Sequence, residues 1–108
     1  LYAHEGLFEQ MATTSENMEG KMREKDIERK LVNAVKMRGG MALKFVSPNM
    51  NGVPDRLLLL PMGKAAFAEL KAPGKKMRAL QIKRKRQLEA LGFSVYCIGR
   101  HRANRRGA

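Results

Sequence analysis

Two apolar runs and the turn between them constrain the fold of this chain more than any other feature. Four leucines at 57–60 are followed by Pro61-Met62-Gly63-Lys64 and then by a second apolar run at 65–70. Proline and glycine between two such runs predict a turn that joins two antiparallel strands. Asp55 precedes the first run and Glu69 lies near the end of the second, so the hairpin places these two carboxylates side by side.

The second strand brings a cation to the same place. Glu69 and Lys71 are two residues apart and therefore project from the same face of a strand. Their simplest interpretation is an ion pair or a solvated strand face, but charge is costly in so apolar a strand unless it is paired. With Asp55 they form a small acidic site that suits a hard divalent cation such as Mg²⁺, which prefers oxygen ligands and keeps several waters.

The approach to Asp55 is conformationally restricted. Gly52 permits a tight turn, and Pro54 fixes its own backbone while it favours an extended Val53. This segment therefore delivers the Asp55 carboxylate to a defined point. Taken alone, it is more typical of a hairpin turn with a strand-capping aspartate.

The rest of the chain predicts an α/β domain with the order helix, three strands, helix, strand. An apolar helical face precedes Gly39-Gly40, a first strand covers 41–46, and a loop at 47–52 leads to the hairpin. A second helix at 79–91 places Leu80, Leu88 and Leu91 inward, and a final strand covers 93–98. The first helical face is formed by Ile27, Leu31, Ala34, Val35 and Arg38.

The chain is expected to hold one domain at 21–99 between two extensions. Residues 1–20 are weakly patterned and differ in charge from the rest of the chain, so we interpret them as an N-terminal extension, and 100–108 form a basic tail. Neither a membrane span nor a signal peptide is evident, and the lone Cys97 in an apolar run is typical of a reduced core residue. These features favour a cytoplasmic protein.

The charge balance indicates a polyanionic partner. The chain has 22 Lys and Arg against 10 Asp and Glu, a formal net charge of +12. Nucleic acid is the expected partner, and with no tryptophan and few other aromatic residues it is recognised by backbone shape and charge rather than by base stacking. Arg84 falls on the inward face of its helix, whereas its basic neighbours reach solvent. The candidate phosphate contacts are Lys44, Lys75, Lys76, Lys83, Lys85 and Arg86.

The ordered motifs resemble those of a known enzyme family. A helix glutamate, Gly-Val-Pro-Asp at 52–55, Glu-Leu-Lys at 69–71 and a glutamine in the next helix are similar to the PD-(D/E)XK nucleases. More narrowly, residues 22–99 resemble the virus-type replication-repair nuclease (VRR-NUC) domain in a short, stand-alone phage-like form. The resemblance implies a restriction-endonuclease-like core with a small mixed sheet.

The resemblance also implies roles for single residues. Asp55, Glu69 and the backbone carbonyl of Leu70 would be ligands of Mg²⁺ or Mn²⁺, and Lys71 would orient or activate the attacking water. Gln81 would contact a phosphate or the active site. The family's helix glutamate typically stands three residues before an inward aliphatic residue, which favours Glu24, before Ile27, over Glu28.

Other chemistries find no support in the sequence. His4 and His101 are too isolated for a transition-metal site or a catalytic triad, and phosphate-loop and dinucleotide patterns are absent, so no organic cofactor is expected. The resemblance favours a structure-selective DNA endonuclease that resolves four-way (Holliday) junctions as a homodimer, with Met37, Met41 and Phe45 as interface candidates. The alternatives are a general or flap and fork nicking nuclease that acts with a replication partner, and a non-catalytic nucleic-acid-binding protein on the same fold.

Overall fold

The structure is a computed structural model that describes residues 23–72 and 74–99. These residues form a four-stranded mixed sheet with two helices. The elements are α1 (Glu24–Met37), β1 (Met41–Lys44), β2 (Arg56–Leu60), a 3-10 turn (Pro61–Gly63), β3 (Lys64–Leu70), α2 (Ala79–Ala90) and β4 (Ser94–Ile98). Strand order is β1-β2-β3-β4; the first two pairs are antiparallel, and β3 and β4 are parallel. The predicted fold class and element order are confirmed.

The predicted hairpin between β2 and β3 is present. Arg56 pairs with Ala68 and Leu60 with Lys64, so Asp55 and Glu69 stand at the open end of the hairpin. At the turn Met62 adopts a left-handed backbone with φ 68°, beside Pro61 and Gly63. The register therefore fixes which strand ends carry the two carboxylates.

The core lies between α1 and one face of the sheet. Ile27, Leu31 and Val35 are fully buried at helical spacing, as the sequence predicts. They pack against Leu58, Leu60, Ala66, Ala68, Leu70 and Ile98. This packing holds the start of α1 beside the first residues of β2, which directly follow Asp55. Glu24 and Glu28 therefore lie near Asp55.

The second helix differs from its prediction. It has no buried residue; Leu80 is exposed, Leu88 is half-buried, and Leu91, which caps the helix, is 73% exposed. The prediction that these three leucines point inward is wrong for Leu80 and Leu91, because the sequence of α2 is polar around most of its circumference and cannot bury a continuous stripe.

Smaller differences concern the ends of the sheet. β1 ends at Lys44, so Phe45 and Val46 belong to the following loop, and Cys97 is half-buried rather than part of the core. The predicted extension 1–20 and tail 100–108, with His4 and His101, lie outside the described residues. In the described part of the chain, no helix is long and apolar enough to cross a bilayer.

Candidate active site

Asp55 is held at the mouth of the hairpin by backbone hydrogen bonds. Its carbonyl accepts from the Phe45 N–H at 2.7 Å, which continues the β1–β2 ladder beyond the assigned strands. Its carboxylate Oδ2 accepts from the backbone N–H of Leu70 at 3.1 Å. The Asp55 carboxylate is thus directed across the strand pair toward the residue that follows Glu69.

Glu69 is the most unusual side chain of the site. It is only 2% exposed, and its Oε1 has no hydrogen-bond partner among the described residues. The other oxygen, Oε2, accepts from Gln81 Nε2 at 2.7 Å and lies 3.5 Å from Lys71 Nζ. A buried carboxylate with one oxygen that accepts no hydrogen bond destabilises the folded protein. A further partner for that oxygen, such as a cation, would remove this destabilisation.

The electrostatics of Glu69 reflect this position. Burial raises the pKa of its carboxyl, the nearby Asp55 charge raises the pKa further, and the Lys71 ammonium lowers it in part. The net direction is upward, so the folded protein opposes the negative charge on Glu69. An added cation would favour the ionised form.

Gln81 reaches the site from the first turn of α2. Its Oε1 accepts from the backbone N–H of Arg78 at 2.8 Å, an N-terminal capping contact. Because the amide oxygen is engaged there, the amide NH₂ group is turned toward Glu69. The Gln81 side chain thus caps α2 and also donates a hydrogen bond to one of the two Glu69 carboxylate oxygens.

The backbone around Lys71 is tightly packed. Its N–H donates to the Ile98 carbonyl at 2.9 Å. Gly99 passes so close that a Cβ there would lie 1.9 Å from the Lys71 carbonyl oxygen, and its φ is +99°. Only glycine fits both conditions. Sequence reasoning missed this role, for which a glycine directly after the last strand was the available signal.

A cavity of about 270 Å³ opens beside these residues. Its wall contains Glu24, Asp55 and Leu70, and its rim includes the exposed Lys44. The exposed Glu24, at the start of α1, lines the same cavity as Asp55.

Glu28 also lines the cavity, but its carboxylate is engaged. Arg56, which is 7% exposed, donates to Glu28 through Nη2 and to the Ala42 carbonyl through Nη1 at 3.0 Å. This pair ties α1 to β1 and β2 and was not anticipated from the sequence. It favours Glu24 over Glu28 as the acid available to a ligand.

The six candidate phosphate contacts fall into three groups. Lys44 is at the cavity, and Lys75 and Lys76 are exposed between β3 and α2. Lys83 and Arg86 are exposed on α2 and line a shallow groove with Ile82. Lys85 differs, because its Nζ lies 2.7 Å from Glu89 Oε2.

Comparison with known proteins shows what the chain is similar to. The chain matches no protein-family model. Over 77 residues it is 51% identical to a phage protein described as "Putative nuclease p44", from Acyrthosiphon pisum secondary endosymbiont phage 1, covering 71% of this chain and 83% of the relative. A solved structure described as "VRR_NUC domain" superposes with a TM-score of 0.62 at 20% identity, covering 79% of this chain and 94% of that one. The chain belongs to the same family as this phage putative nuclease, and its fold is that of a VRR-NUC domain.

Within this family framework, the structure brings together four of the residues that the sequence singled out. Asp55, Glu69, Lys71 and Gln81 meet at the open end of the β2–β3 hairpin, and Glu24 lies across the adjoining cavity. No cluster of three acidic, histidine or cysteine side chains suited to a metal occurs in residues 23–72 and 74–99. The oxygen atoms at this end of the hairpin that could hold a cation belong to the Asp55 and Glu69 carboxylates and the Leu70 carbonyl.

Proposed function

We propose that this chain is a Mg²⁺- or Mn²⁺-dependent endonuclease that hydrolyses phosphodiester bonds in DNA. The observation that carries the proposal is the buried Glu69 carboxylate, with one unsatisfied oxygen, beside Asp55 and Lys71. Membership of a nuclease family supports hydrolysis, and the net charge of +12 supports a polyanionic substrate.

The donor set fits a hard divalent cation. Asp55, Glu69 and the Leu70 carbonyl supply oxygen ligands only, and Glu69 Oε1 is the unsatisfied atom that a cation would satisfy. A small number of protein ligands is sufficient for Mg²⁺, because this cation retains several waters in its coordination shell. When bound, such a cation would lower the pKa of water and neutralise charge that develops on the phosphate.

The chain's own residues supply orientation and charge. The Leu70 N–H holds the Asp55 carboxylate, and Gln81 holds one oxygen of Glu69. Lys71 Nζ lies 3.5 Å from that same oxygen. It would orient the attacking water and offset negative charge on the phosphate. Glu24 and Lys44, on the wall and rim of the cavity, would contact the water and the phosphate backbone respectively.

The substrate that we favour is a branched DNA, in particular the four-way junction, cut by a homodimer. One active site cuts one strand at a time, so paired cuts need two copies, and a twofold dimer matches the pseudo-symmetry of a junction. Met37 is 87% exposed and Met41 is 56% exposed, which leaves both available to an interface. Phe45 is half-buried, with its ring 5.5 Å from that of Phe67, so it contributes mainly to packing.

Cleavage assays on defined substrates test this function. Four-way junction, flap, fork and linear duplex are incubated with Mg²⁺, Mn²⁺ or EDTA, and the products are mapped. We expect metal-dependent, opposed nicks in the junction and weaker cutting of duplex, with EDTA abolishing both. Binding without cleavage under every metal condition would favour the non-catalytic alternative.

Assembly is measured in the same preparation by light scattering. We expect a dimer at about micromolar concentration, and Met41→Glu is expected to weaken it. A monomer that cuts duplex and junction equally would leave a general nicking nuclease. Preference for flaps or forks would favour the alternative that acts with a replication partner.

DNA affinity is expected to depend steeply on salt, and α2 offers a graded test. Each phosphate contact contributes about 0.9 to the slope of log affinity against log salt. Replacing Lys83 and Arg86 by Ala should therefore flatten the slope by up to about 1.8. Lys85→Ala should change it less, because Glu89 already pairs with that ammonium.

The matched control for this measurement is Lys36→Ala, at the far end of α1 from Glu24. It removes one exposed charge and should leave the slope near that of the wild type. A slope unchanged by the double substitution would show that this side of α2 does not contact DNA.

A further inference from the structure

The basic run on α2 contains one arginine whose surroundings differ from those of its neighbours. Arg84 donates through Nε to the Asn51 carbonyl oxygen at 2.7 Å, and through Nη1 to Gln87 Oε1 at 2.9 Å. Lys83 and Arg86 are exposed on another side of the helix. The guanidinium of Arg84 thus binds protein backbone in the loop that leads to Asp55.

A second contact joins the same two segments. Gly52 has φ +85°, and a Cβ at this position would lie 2.7 Å from Leu80 Cγ and 3.2 Å from the Leu80 carbonyl oxygen. Leu80 and Arg84 are one helical turn apart and lie on the same face of α2. Arg84 contacts Asn51 and Leu80 contacts Gly52, so the two side chains contact consecutive residues of the loop. Three residues further along the chain, after the restricted Val53-Pro54 segment, stands Asp55.

The same turn of α2 also reaches the other carboxylate. Gln81 is three residues before Arg84 and donates to Glu69 at 2.7 Å. α2 has no buried residue, so apolar burial does little to fix its position. Directional contacts at Asn51 and Glu69 therefore contribute to the position of the helix.

We infer that Arg84 is a positioning residue that couples the Asp55 loop to Gln81, and through Gln81 to Glu69, rather than a phosphate contact. The inference rests on the proposed nuclease function of the same site. Small displacements of such groups are expensive: a shift of about 1 Å can lower a catalysed rate about 100-fold. Arg84 would therefore influence the rate of cleavage more than the affinity for DNA.

The test compares Arg84→Met with Arg86→Met, which removes the same charge two residues away. Arg84→Met is expected to lower kcat about 10- to 100-fold with little change in KM. Arg86→Met should instead raise KM and flatten the salt dependence, as expected of a phosphate contact. Arg84→Lys retains the charge and one donor, and is expected to recover part of the lost kcat.

A second measurement needs no metal, substrate or activity. In ¹H–¹⁵N spectra, the side-chain amide of Gln81 reports its hydrogen bond to Glu69. We expect its signals to shift in Arg84→Met, less so in Arg84→Lys, and to stay unchanged in Arg86→Met. These spectra also verify that each variant is folded.

The two measurements separate the inference from the function on which it rests. If the wild type cleaves no substrate, the proposed function fails, and the Gln81 signals alone decide whether Arg84 positions the helix. If Arg84→Met keeps the wild-type kcat and Gln81 signals, or loses only affinity for DNA, the inference is overturned.

Discussion

Replacing Asp55 by Asn, or Glu69 by Gln, is expected to lower metal-dependent DNA cleavage by about 100- to 1000-fold or more, the scale of losing one preorganised charge-stabilising group. Both substitutions keep shape and most hydrogen bonds. In Asp55→Asn the amide oxygen can still accept from the Leu70 N–H, and in Glu69→Gln the amide oxygen can still accept from Gln81. Each variant loses the negative charge that a divalent cation needs. DNA affinity should change little, because it arises from the basic surface.

Single-turnover cleavage with saturating enzyme, alongside a binding titration in EDTA, makes this measurement. Glu89→Gln is the matched control, since it removes a carboxylate from α2 that pairs with Lys85 outside the site. The double variant of Asp55 and Glu69 should be little slower than either single variant if the two carboxylates act as one unit. Wild-type rates in either single variant would refute the site assignment.

Thermal unfolding of each variant distinguishes a loss of catalytic activity from a loss of the folded structure. The pKa of Glu69 is raised in the folded protein by burial and by Asp55. Above that raised pKa, the charge of Glu69 therefore opposes folding. This destabilisation fades as the pH falls through the raised pKa, and it is gone below the ordinary carboxyl pKa, where folded and unfolded states are both protonated. In EDTA at neutral pH, the Glu69→Gln variant should accordingly melt no lower than the wild type. An inactive variant that is also unfolded would not support the assignment.

The destabilisation that the buried Glu69 carboxylate causes indicates a functional role for this residue. A buried carboxylate with an unsatisfied oxygen lowers stability, whereas a glutamine or an apolar residue at the same point of β3 would avoid that cost. Lys71 and Gln81 together engage only one of its two oxygens. The arrangement therefore resembles the preorganised sites in which local stability is given up for ligand binding.

The hairpin and the core could be predicted because local signals agreed with the tertiary structure. Pro61 and Gly63 mark the turn, the leucines at 57–60 mark the strand, and Ile27, Leu31 and Val35 repeat at helical spacing and are fully buried. The strand period then placed Glu69 and Lys71 on one face beside Asp55. These inferences need only neighbouring residues and regular geometry.

The parts that could not be predicted depend on contacts between distant segments. Arg56 finds Glu28 and the Ala42 carbonyl, and Arg84 finds the carbonyl of Asn51. The helical position of Arg84 separates it from its basic neighbours in the sequence, but does not indicate which carbonyl its guanidinium binds. Leu91 was misassigned for a related reason: a leucine at helical spacing predicts burial only if another element covers that face, and at the end of α2 none of the described elements does so.

Lys71→Met is expected to lower kcat about 100-fold or more, the contribution typical of a positioned group that assists proton transfer. It should also move the acidic limb of the pH–rate profile. Lys71 lowers the pKa of Glu69, so its removal raises that pKa, and ionised Glu69 is then reached only at higher pH. The activity of Lys71→Met should therefore begin to rise at a higher pH than that of the wild type.

Lys83→Met is the control for this substitution, since it removes the same charge from the exposed side of α2 and should leave the profile in place while weakening binding. Lys71→Arg keeps a cation near Glu69 Oε2 and should leave the acidic limb close to that of the wild type, even if the different shape of the guanidinium lowers kcat. The two readouts thus separate the charge of Lys71 from its placement. An acidic limb that stays at the wild-type pH in Lys71→Met would show that the 3.5 Å contact does not set the ionisation of Glu69. Lys71 would then act on the substrate alone.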